Sequence, residues 1–155
     1  MGFFNIVGPR IEGARFLDLF AGSGVFSFEA VSRGASSATA IEQDRRSVAT
    51  ITNLAKEWKV PVTAIASDAF VEIPRLGKGF FDDAGFDIVF ADPPYSFARY
   101  DDLLAAIDRD VALSEAAIVA IEHQRRSEPF TIKTTRLKET RRAEYGEVWI
   151  TLFIS

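Results

Sequence analysis

Four acidic side chains occur along this sequence at or near the ends of apolar runs. They are Asp18, Glu42, Asp68 and Asp92. One acid in such a place is often a helix cap or a turn residue, but four on successive predicted strands favour a shared ligand. In open α/β sheets, ligands bind at the carboxyl ends of the strands. The sequence therefore predicts that these carboxylates surround one pocket.

The most specific of these sites is the motif Asp92-Pro93-Pro94-Tyr95. Two successive prolines remove two backbone donors and fix two φ angles, so the preceding carbonyl groups are held in place. The carboxylate of Asp92 and a bare backbone carbonyl then form a rigid pair of acceptors, which suits the two hydrogens of an exocyclic amino group. Tyr95 adds a flat face on which a nucleobase can stack. An isolated motif of this kind is equally explained as a stiff turn after a strand, so its meaning depends on the rest of the chain.

Residues 16–24, Phe-Leu-Asp-Leu-Phe-Ala-Gly-Ser-Gly, predict a buried strand that runs into a glycine-rich turn. A carboxylate buried in such a strand needs hydrogen-bond donors or a ligand. We therefore expect Asp18 to face a positively charged amino group. Gly22 and Gly24 allow a sharp turn and a close approach of that ligand to the backbone.

The acids after the second and third predicted strands indicate contacts to a nucleoside. Glu42 stands where a carboxylate accepts the ribose hydroxyls in nucleotide-binding sheets. This feature alone does not distinguish a nicotinamide dinucleotide from S-adenosylmethionine, but a dinucleotide fingerprint requires glycine or alanine where this chain has Ser27. Asp68 is expected to accept a hydrogen bond from an adenine amino group. Phe70 contacts either the adenine ring or the core.

The composition of the 155-residue chain excludes several classes of protein. There is no cysteine, which rules out disulfide frameworks, zinc ribbons and thiol nucleophiles, and the one histidine, His123, disfavours a histidine-rich metal site. No apolar run reaches the ~20 residues of a membrane helix. We expect a monomeric, cytoplasmic protein with no metal ion and no membrane contact. His123 follows the fifth predicted strand near the site, and we expect it to be a satisfied or surface side chain.

The net charge of −4 conceals a basic segment between residues 125 and 142. Seven basic residues stand there against Glu128 and Glu139, which leaves five net positive charges. They are Arg125, Arg126, Lys133, Arg136, Lys138, Arg141 and Arg142. The segment is either a source of contacts to nucleic-acid phosphates or a solvated face of a hairpin.

Strands and helices alternate along the chain before a final hairpin. Strands are predicted at residues 14–20, 37–42, 62–66, 86–91 and 116–121. Helices are predicted at residues 1–7, 25–33, 45–58, 69–75 and 100–110, and β-rich runs within residues 131–155 predict the hairpin. This order predicts a single α/β domain over residues 1–155. Its doubly wound, mostly parallel, seven-stranded sheet is Rossmann-like and ends in the antiparallel hairpin.

These motifs, in this order, resemble the class I S-adenosylmethionine-dependent methyltransferases that modify amino groups of nucleobases. More narrowly, residues 17–24, 29–35, 42–44 and 86–95 are similar to the RsmD-like family, which methylates N2 of a guanine in 16S ribosomal RNA. The resemblance covers nearly the whole chain, including the closing hairpin. Members of that family usually carry some tens of residues before the glycine-rich strand, so the resemblance implies that this chain lacks that N-terminal extension.

The resemblance implies S-adenosylmethionine as the cofactor and 16S ribosomal RNA, or the small ribosomal subunit, as the partner. The implied catalytic residues are Asp92, Pro93, Pro94 and Tyr95. The implied cofactor-binding residues are Asp18, Phe20, Ala21, Gly22, Ser23, Gly24, Glu42, Gln43, Asp68, Ala69 and Asp92. Three alternatives stay open at this point. They are an adenine-N6 methyltransferase of nucleic acid, a non-catalytic fragment that binds cofactor or RNA, and a nicotinamide-dependent oxidoreductase, which Ser27 and the D-P-P-Y motif disfavour.

Overall fold

A seven-stranded sheet runs through the computed structural model, which describes residues 2–77, 79, 84–94, 96–125 and 128–155. The strands are β1 Arg15–Leu19, β2 Ser37–Glu42, β3 Val62–Ala66, β4 Phe86–Ala91, β5 Leu113–Gln124, β6 Lys138–Tyr145 and β7 Val148–Ile154. The helices are α1 Gly2–Val7, α2 Val25–Ser32, α3 Arg45–Trp58, α4 Ala69–Glu72 and α5 Tyr100–Asp110. Short 3-10 turns at Gly8–Ile11 and Ile73–Leu76 follow α1 and α4.

The strand order is β3-β2-β1-β4-β5-β7-β6. Strands β1 to β5 are parallel to one another, whereas β7 is antiparallel to both β5 and β6. The chain builds outward from β1 to β3 and then returns to the other side of β1, so the strand order reverses between β1 and β4. In such sheets the crevice at the reversal is where ligands bind. The predicted mostly parallel α/β sheet with a C-terminal antiparallel hairpin is confirmed.

Alternate residues of the central strands pack on opposite faces of the sheet. In β1, Phe16 belongs to the apolar cluster that includes residues of α1, α2 and α3, whereas Leu17 belongs to the cluster with residues of α4 and α5. Phe90 and Val89 of β4 divide between the two clusters in the same way. A strand covered on both faces is almost continuously apolar, which explains the composition of β4.

An aromatic cluster supports the end of β4 on one face of the sheet. Phe90 is fully buried, and the centroid of its ring lies 4.3 Å from that of Phe26 and 4.6 Å from that of Phe3. Aromatic pairs at this spacing add to the stabilisation from apolar burial. Asp92 follows Phe90 by two residues, so this cluster fixes the strand from which Asp92 projects.

The largest difference from the predicted elements is the length of β5. This strand extends beyond the predicted residues 116–121 at both ends. Leu113 pairs with Phe86 at its start, and Gln124 pairs with Val148 of the hairpin at its end. Pairing with distant strands therefore recruits residues whose own sequence gives no clear strand signal.

Two smaller differences involve proline. The first helix ends at residue 7 as predicted, but the chain continues in a 3-10 turn over Gly8–Ile11. Pro9 fits the start of this turn, because the N–H groups of a first helical turn have no partner within the helix. The predicted helix 69–75 changes to a 3-10 turn after Glu72, and Pro74 lies in that turn. Residue 1, in the predicted first helix, lies outside the described residues. Among the helices that are described, none combines the length and apolarity needed to cross a bilayer.

Candidate active site

A cavity of about 370 Å³ opens at the carboxyl ends of β1, β2, β3 and β4. It is lined by Phe20, Ile41, Glu42, Gln43, Ser67, Asp68, Ala69, Phe70, Asp92, Pro94, Phe97 and Arg99. The predicted site residues in this wall are Phe20, Glu42, Gln43, Asp68, Ala69, Asp92 and Pro94. The cavity thus brings together all of the acids whose positions indicated a pocket, except Asp18.

The carboxylate of Glu42 fastens the glycine-rich turn to the end of β2. Its Oε1 accepts a hydrogen bond from the backbone N–H of Gly22 at 3.0 Å, and its Oε2 accepts one from that of Asp44 at 2.6 Å. Each carboxylate oxygen has a further lone pair, so the same group is able to accept the two hydroxyls of a ribose. Glu42 therefore orders the turn and also presents acceptors to the cavity.

The turn after β1 has a left-handed backbone at three positions. Phe20, Gly22 and Gly24 have φ angles of 61°, 57° and 82°. Gly24 is restricted further, because a Cβ there would lie 2.8 Å from Cγ1 of Ile51 in α3. The conformation is costly for a bulky residue such as Phe20, and strain of this kind concentrates at ligand sites. The side chain of Phe20 lines the cavity.

Asp18 lies beneath this turn and not in the cavity wall. Its carboxyl group is buried, and its Oδ2 accepts a hydrogen bond from the hydroxyl of Ser27 in α2 at 2.7 Å. Burial raises the pKa of Asp18 to about 7, against the opposing effect of the hydrogen bonds from Ser27. A direct contact between Asp18 and an amino group of the ligand stays a prediction. The predicted residues Ala21, Gly22, Ser23 and Gly24 form the turn itself and are not among the residues that line this cavity.

Asp18→Asn is expected to weaken the pH dependence of stability between about pH 4 and 7. The unfolded chain releases this proton near its ordinary pKa of about 3.9, whereas the folded chain holds it to about 7. The folded state binds more protons in this window, so its free energy of unfolding falls as the pH rises. Urea unfolding at about pH 5 and about pH 8 measures this fall. The control Glu57→Gln, exposed on α3, should behave as wild type, and identical slopes for wild type and Asp18→Asn would contradict the raised pKa.

Asp68 and Phe70 form the side of the cavity that follows β3. Asp68 caps α4, because its Oδ1 accepts hydrogen bonds from the N–H groups of Phe70 at 2.9 Å and Val71 at 3.4 Å. Phe70 is half-buried, lines the cavity and packs against the apolar cluster of α4 and α5. The interpretation of Phe70 as a core contact is confirmed, and its contact with an adenine ring stays a prediction.

Phe97 and Arg99 complete this wall and were not identified from the sequence. The Arg99 guanidinium lies 4.0 Å from the centroid of the Phe70 ring, and the Phe97 ring is stacked with Phe70 at 6.2 Å. The one feature of the sequence that could have indicated them is that an aromatic residue and a cation follow closely after the D-P-P-Y motif. Together they offer an aromatic surface and a guanidinium on which a flat ring can stack.

The D-P-P segment separates the large cavity from a second one of about 190 Å³. Asp92 lines both, Pro94 lines the larger, and the buried Pro93 lines the smaller. The N–H of Phe97 donates a hydrogen bond to the carbonyl of Pro94 at 2.8 Å, which closes the turn after the motif. Tyr95 lies outside the described residues, so its stacking role stays a prediction.

A further carboxyl group, Glu122, meets Asp92 in the smaller cavity. The two residues follow the register partners Ala91 and Ile121, so their carboxyl groups lie side by side at the edge of the sheet. Partial removal from water raises the pKa of both, and the charge of Asp92 helps to raise that of Glu122 to about 7. Glu122 was not identified as a site residue from the sequence, because the pairing of β4 with β5 decides which residue stands beside Asp92.

His123 is buried beside the smaller cavity, and both of its ring nitrogens have partners. Nδ1 lies 3.1 Å from the carbonyl oxygen of Gln124, and Nε2 lies 2.6 Å from Oγ1 of Thr151. Because a carbonyl only accepts, Nδ1 carries the proton and Nε2 accepts from the threonine hydroxyl. The interpretation of His123 as a satisfied side chain is confirmed. Within the described part of the chain, no three or more acidic and histidine side chains are grouped to hold a metal ion.

Much of the basic segment is engaged within the chain. Arg142 forms ion pairs with Glu128 and Glu139, both at 2.7 Å, and Arg125 forms one with Glu144 at 3.0 Å. The Arg136 guanidinium donates to backbone carbonyls at the end of α5. Arg126 lies outside the described residues. Among the members of the segment that the structure describes, Lys133, Lys138 and Arg141 are exposed and carry no such contact.

A known protein family matches almost the whole chain. The family described as Conserved hypothetical protein 95 matches residues 1–154. The chain belongs to the Conserved hypothetical protein 95 family. Since the match covers nearly the whole chain, the RsmD-like resemblance predicted from the glycine-rich turn and the D-P-P-Y motif is confirmed.

Two relatives align with most of this chain. YlbH of Bacillus subtilis is 33% identical over 153 residues, which are 97% of this chain and 80% of YlbH. Ribosomal RNA small subunit methyltransferase D of Escherichia coli is 33% identical over 122 residues, which are 78% of this chain and 59% of that protein. The alignment therefore spans less than two thirds of methyltransferase D.

Solved structures agree with this fold. YhhF of Escherichia coli superposes with a TM-score of 0.85 at 27% identity and covers 99% of this chain, which covers 83% of YhhF. An RNA methyltransferase from Salinibacter ruber, solved in complex with S-adenosylhomocysteine, superposes with a TM-score of 0.70 at 16% identity over 99% of this chain and 87% of that one. The Conserved hypothetical protein 95 member has the class I methyltransferase fold, as the sequence predicted.

Proposed function

We propose that this chain transfers a methyl group from S-adenosylmethionine to the N2 amino group of a guanine in small-subunit (16S) ribosomal RNA. The observation that carries the proposal is the position of Asp92 and the two prolines after it, between two cavities at the end of β4. One cavity has the size and acceptors for the cofactor, and the other borders the acceptor carboxylate. Similarity to ribosomal RNA small subunit methyltransferase D supports the class of substrate.

The larger cavity fits S-adenosylmethionine by its volume and by the chemistry of its wall. Its volume of about 370 Å³ lies in the usual range for small-molecule sites. The proposed contacts are Glu42 with the ribose hydroxyls, Asp68 with the adenine amino group, and Phe70 with the adenine ring. The turn between β1 and α2, with Asp18 beneath it, is the proposed site of the methionine end. When bound, this cofactor supplies a methyl group that is already activated on a sulfonium.

The proposed task of the chain is to orient the amino nitrogen and to accept its proton. The lone pair of guanine N2 is delocalised into the ring, so this nitrogen is a weak nucleophile. Alignment of two reacting groups can be worth about 7–11 kcal/mol. Asp92 and the carbonyl of Pro93 are proposed to accept the two amino hydrogens, which draws the nitrogen toward a tetrahedral geometry. One N2 proton then passes to Asp92 as the nitrogen gains its methyl group.

The RNA has to be deformed for this reaction, because the target base must leave its stack to reach Asp92. Tyr95 is proposed to stack on the base once it has turned out. The exposed cations Lys133, Lys138 and Arg141 are the proposed phosphate contacts of the basic segment. A ribosomal substrate agrees with the expected cytoplasmic location.

Two measurements test the proposal. Isothermal titration calorimetry is expected to detect binding of S-adenosylhomocysteine and no binding of NAD. Small ribosomal subunits that lack the modification, incubated with the chain and labelled S-adenosylmethionine, are expected to yield N2-methylguanosine when their RNA is digested and analysed by mass spectrometry. N6-methyladenosine in its place would identify an adenine methyltransferase, and cofactor binding without transfer would identify a non-catalytic protein.

A further inference from the structure

Glu122 lies directly beside Asp92 at the carboxyl edge of the sheet. Ala91 and Ile121 are register partners in the parallel strands β4 and β5, and the two acids are the next residues along each strand. Neighbouring strands are about 4.8 Å apart, so the two carboxyl groups are within reach of each other. Both line the cavity of about 190 Å³, and the charge of Asp92 helps to raise the pKa of Glu122.

The other groups around this cavity suit a flat polar ring. Pro93 borders it together with Tyr100 and His123, whose ring centroids are 6.1 Å apart at an interplanar angle of 72°. The ring nitrogens of His123 are already engaged with Gln124 and Thr151. The carboxyl pair gives this wall two adjacent hydrogen-bond acceptors, which can read donors on the edge of a base.

We propose that Glu122 selects guanine, because its carboxylate accepts the N1–H of the target base while Asp92 accepts a hydrogen of the N2 amino group. This inference rests on the proposed function and adds a specificity-determining residue to it. Guanine presents these two donors side by side, whereas adenine presents an amino donor beside a bare N1 acceptor. With adenine in the cavity, its N1 lone pair would face the Glu122 carboxylate oxygen, and neither atom would have a hydrogen to share. Sites built on such hydrogen bonds reject ligands that lack the donor.

The same contact makes guanine a better nucleophile. A carboxylate that accepts a hydrogen bond from N1–H increases the electron density of the ring and, through it, that of N2. Before the base binds, Asp92 and Glu122 share one proton, since two adjacent carboxylates do not both ionise at low cost. The two donors of guanine replace that proton, so the proton leaves as the base binds.

Proton release predicts how the reaction depends on pH. Among the described residues, the titratable groups that line this cavity with Glu122 are Asp92 from the end of β4, Tyr100 from α5 and His123 from β5. Strand β7 contributes the uncharged Val148 and Ile150. Burial and the charge of Asp92 set the pKa of Glu122 at about 7. Ionised Glu122 is the form that binds guanine, so kcat/KM for the RNA should rise with pH through about 7.

Glu122→Gln tests the inference, because it keeps the shape of the side chain and removes its charge. With small ribosomal subunits as the methyl acceptor at about pH 8, we expect kcat/KM to fall about 10–100-fold, the range for a lost charged hydrogen bond. The rise in kcat/KM through pH 7 should disappear, and the Kd for S-adenosylhomocysteine should be unchanged. The matched control is Glu115→Gln, which is exposed on the opposite end of the same strand and should match wild type in every measurement. Circular dichroism confirms that both variants are folded.

The outcomes separate this inference from the proposed function. If wild type methylates guanine and Glu122→Gln has the same kcat/KM and pH profile, the role of Glu122 is wrong and the proposed function stands. If wild type binds S-adenosylhomocysteine but methylates no guanine, the proposed function fails, and the selection of guanine by Glu122 fails with it.

Discussion

Asp92→Ala is expected to lower kcat for methyl transfer by about 10²–10⁴-fold, the usual contribution of a positioned acid or base. The alanine removes an acceptor of the amino hydrogens and the group that receives the proton. The other acids of the large cavity, Glu42 and Asp68, are held by their own hydrogen bonds to backbone N–H groups. Cofactor binding should therefore survive the substitution, with a Kd for S-adenosylhomocysteine close to that of wild type.

Single-turnover methylation and calorimetry measure the two effects separately. The matched control is Glu57→Ala, which removes an exposed carboxylate from α3 and should leave both transfer and binding unchanged. A variant at Asp92 that loses transfer and cofactor binding in equal measure would show that this residue maintains the structure of the site and does not act on the substrate.

Phe90→Ala is expected to lower the free energy of unfolding by about 3–5 kcal/mol, the range for removing a buried aromatic ring. Phe90 is fully buried, and its ring stacks on that of Phe26 at 4.3 Å and contacts that of Phe3 at 4.6 Å. Its neighbours belong to α1 and α2, so the cavity left behind would lie between two helices and the sheet. A loss of this size is a large part of the total stability of a typical domain.

Urea unfolding with a common m-value measures this effect. Val25→Ala is the control at the start of α2, where the side chain is 49% exposed, and we expect it to change stability by less than about 0.5 kcal/mol. Phe90→Leu should fall between the two, since leucine fills part of the space. A Phe90→Ala variant as stable as Val25→Ala would show that the aromatic cluster does not support β4.

The elements that were predicted correctly are those whose own residues mark them, either by a capping residue at a helix end or by a continuous apolar run. Helix α3 begins after Asp44, whose side chain accepts a hydrogen bond from the N–H of Ser47, and it ends at Lys59, which has a left-handed backbone. Strand β4 reads as a continuous apolar run because apolar clusters cover both of its faces. Signals of this kind lie within a few residues, so one sequence is enough to show them.

The parts of the site that the sequence did not predict depend on contacts between distant segments. Glu122 becomes a neighbour of Asp92 only through the register of β4 and β5. The hydrogen bond from the hydroxyl of Ser27 to the buried carboxyl group of Asp18 likewise joins two segments, and the contact of Asp18 with a ligand stays a prediction. The left-handed backbone of Phe20 could not be predicted from the sequence either, because phenylalanine has no intrinsic preference for this conformation and the surrounding fold imposes it.

The two hydrogen bonds of Glu42 couple the loop after β1 to the loop after β2. The same carboxylate holds the amide of Gly22 after β1 and that of Asp44 after β2. Opening either loop costs a contact of the shared group, so hydrogen exchange at the two amides should report one cooperative event. A ribose bound to Glu42 would then slow hydrogen exchange at both amides together. Binding of the nucleoside at this one carboxylate would thus stabilise the starts of both α2 and α3.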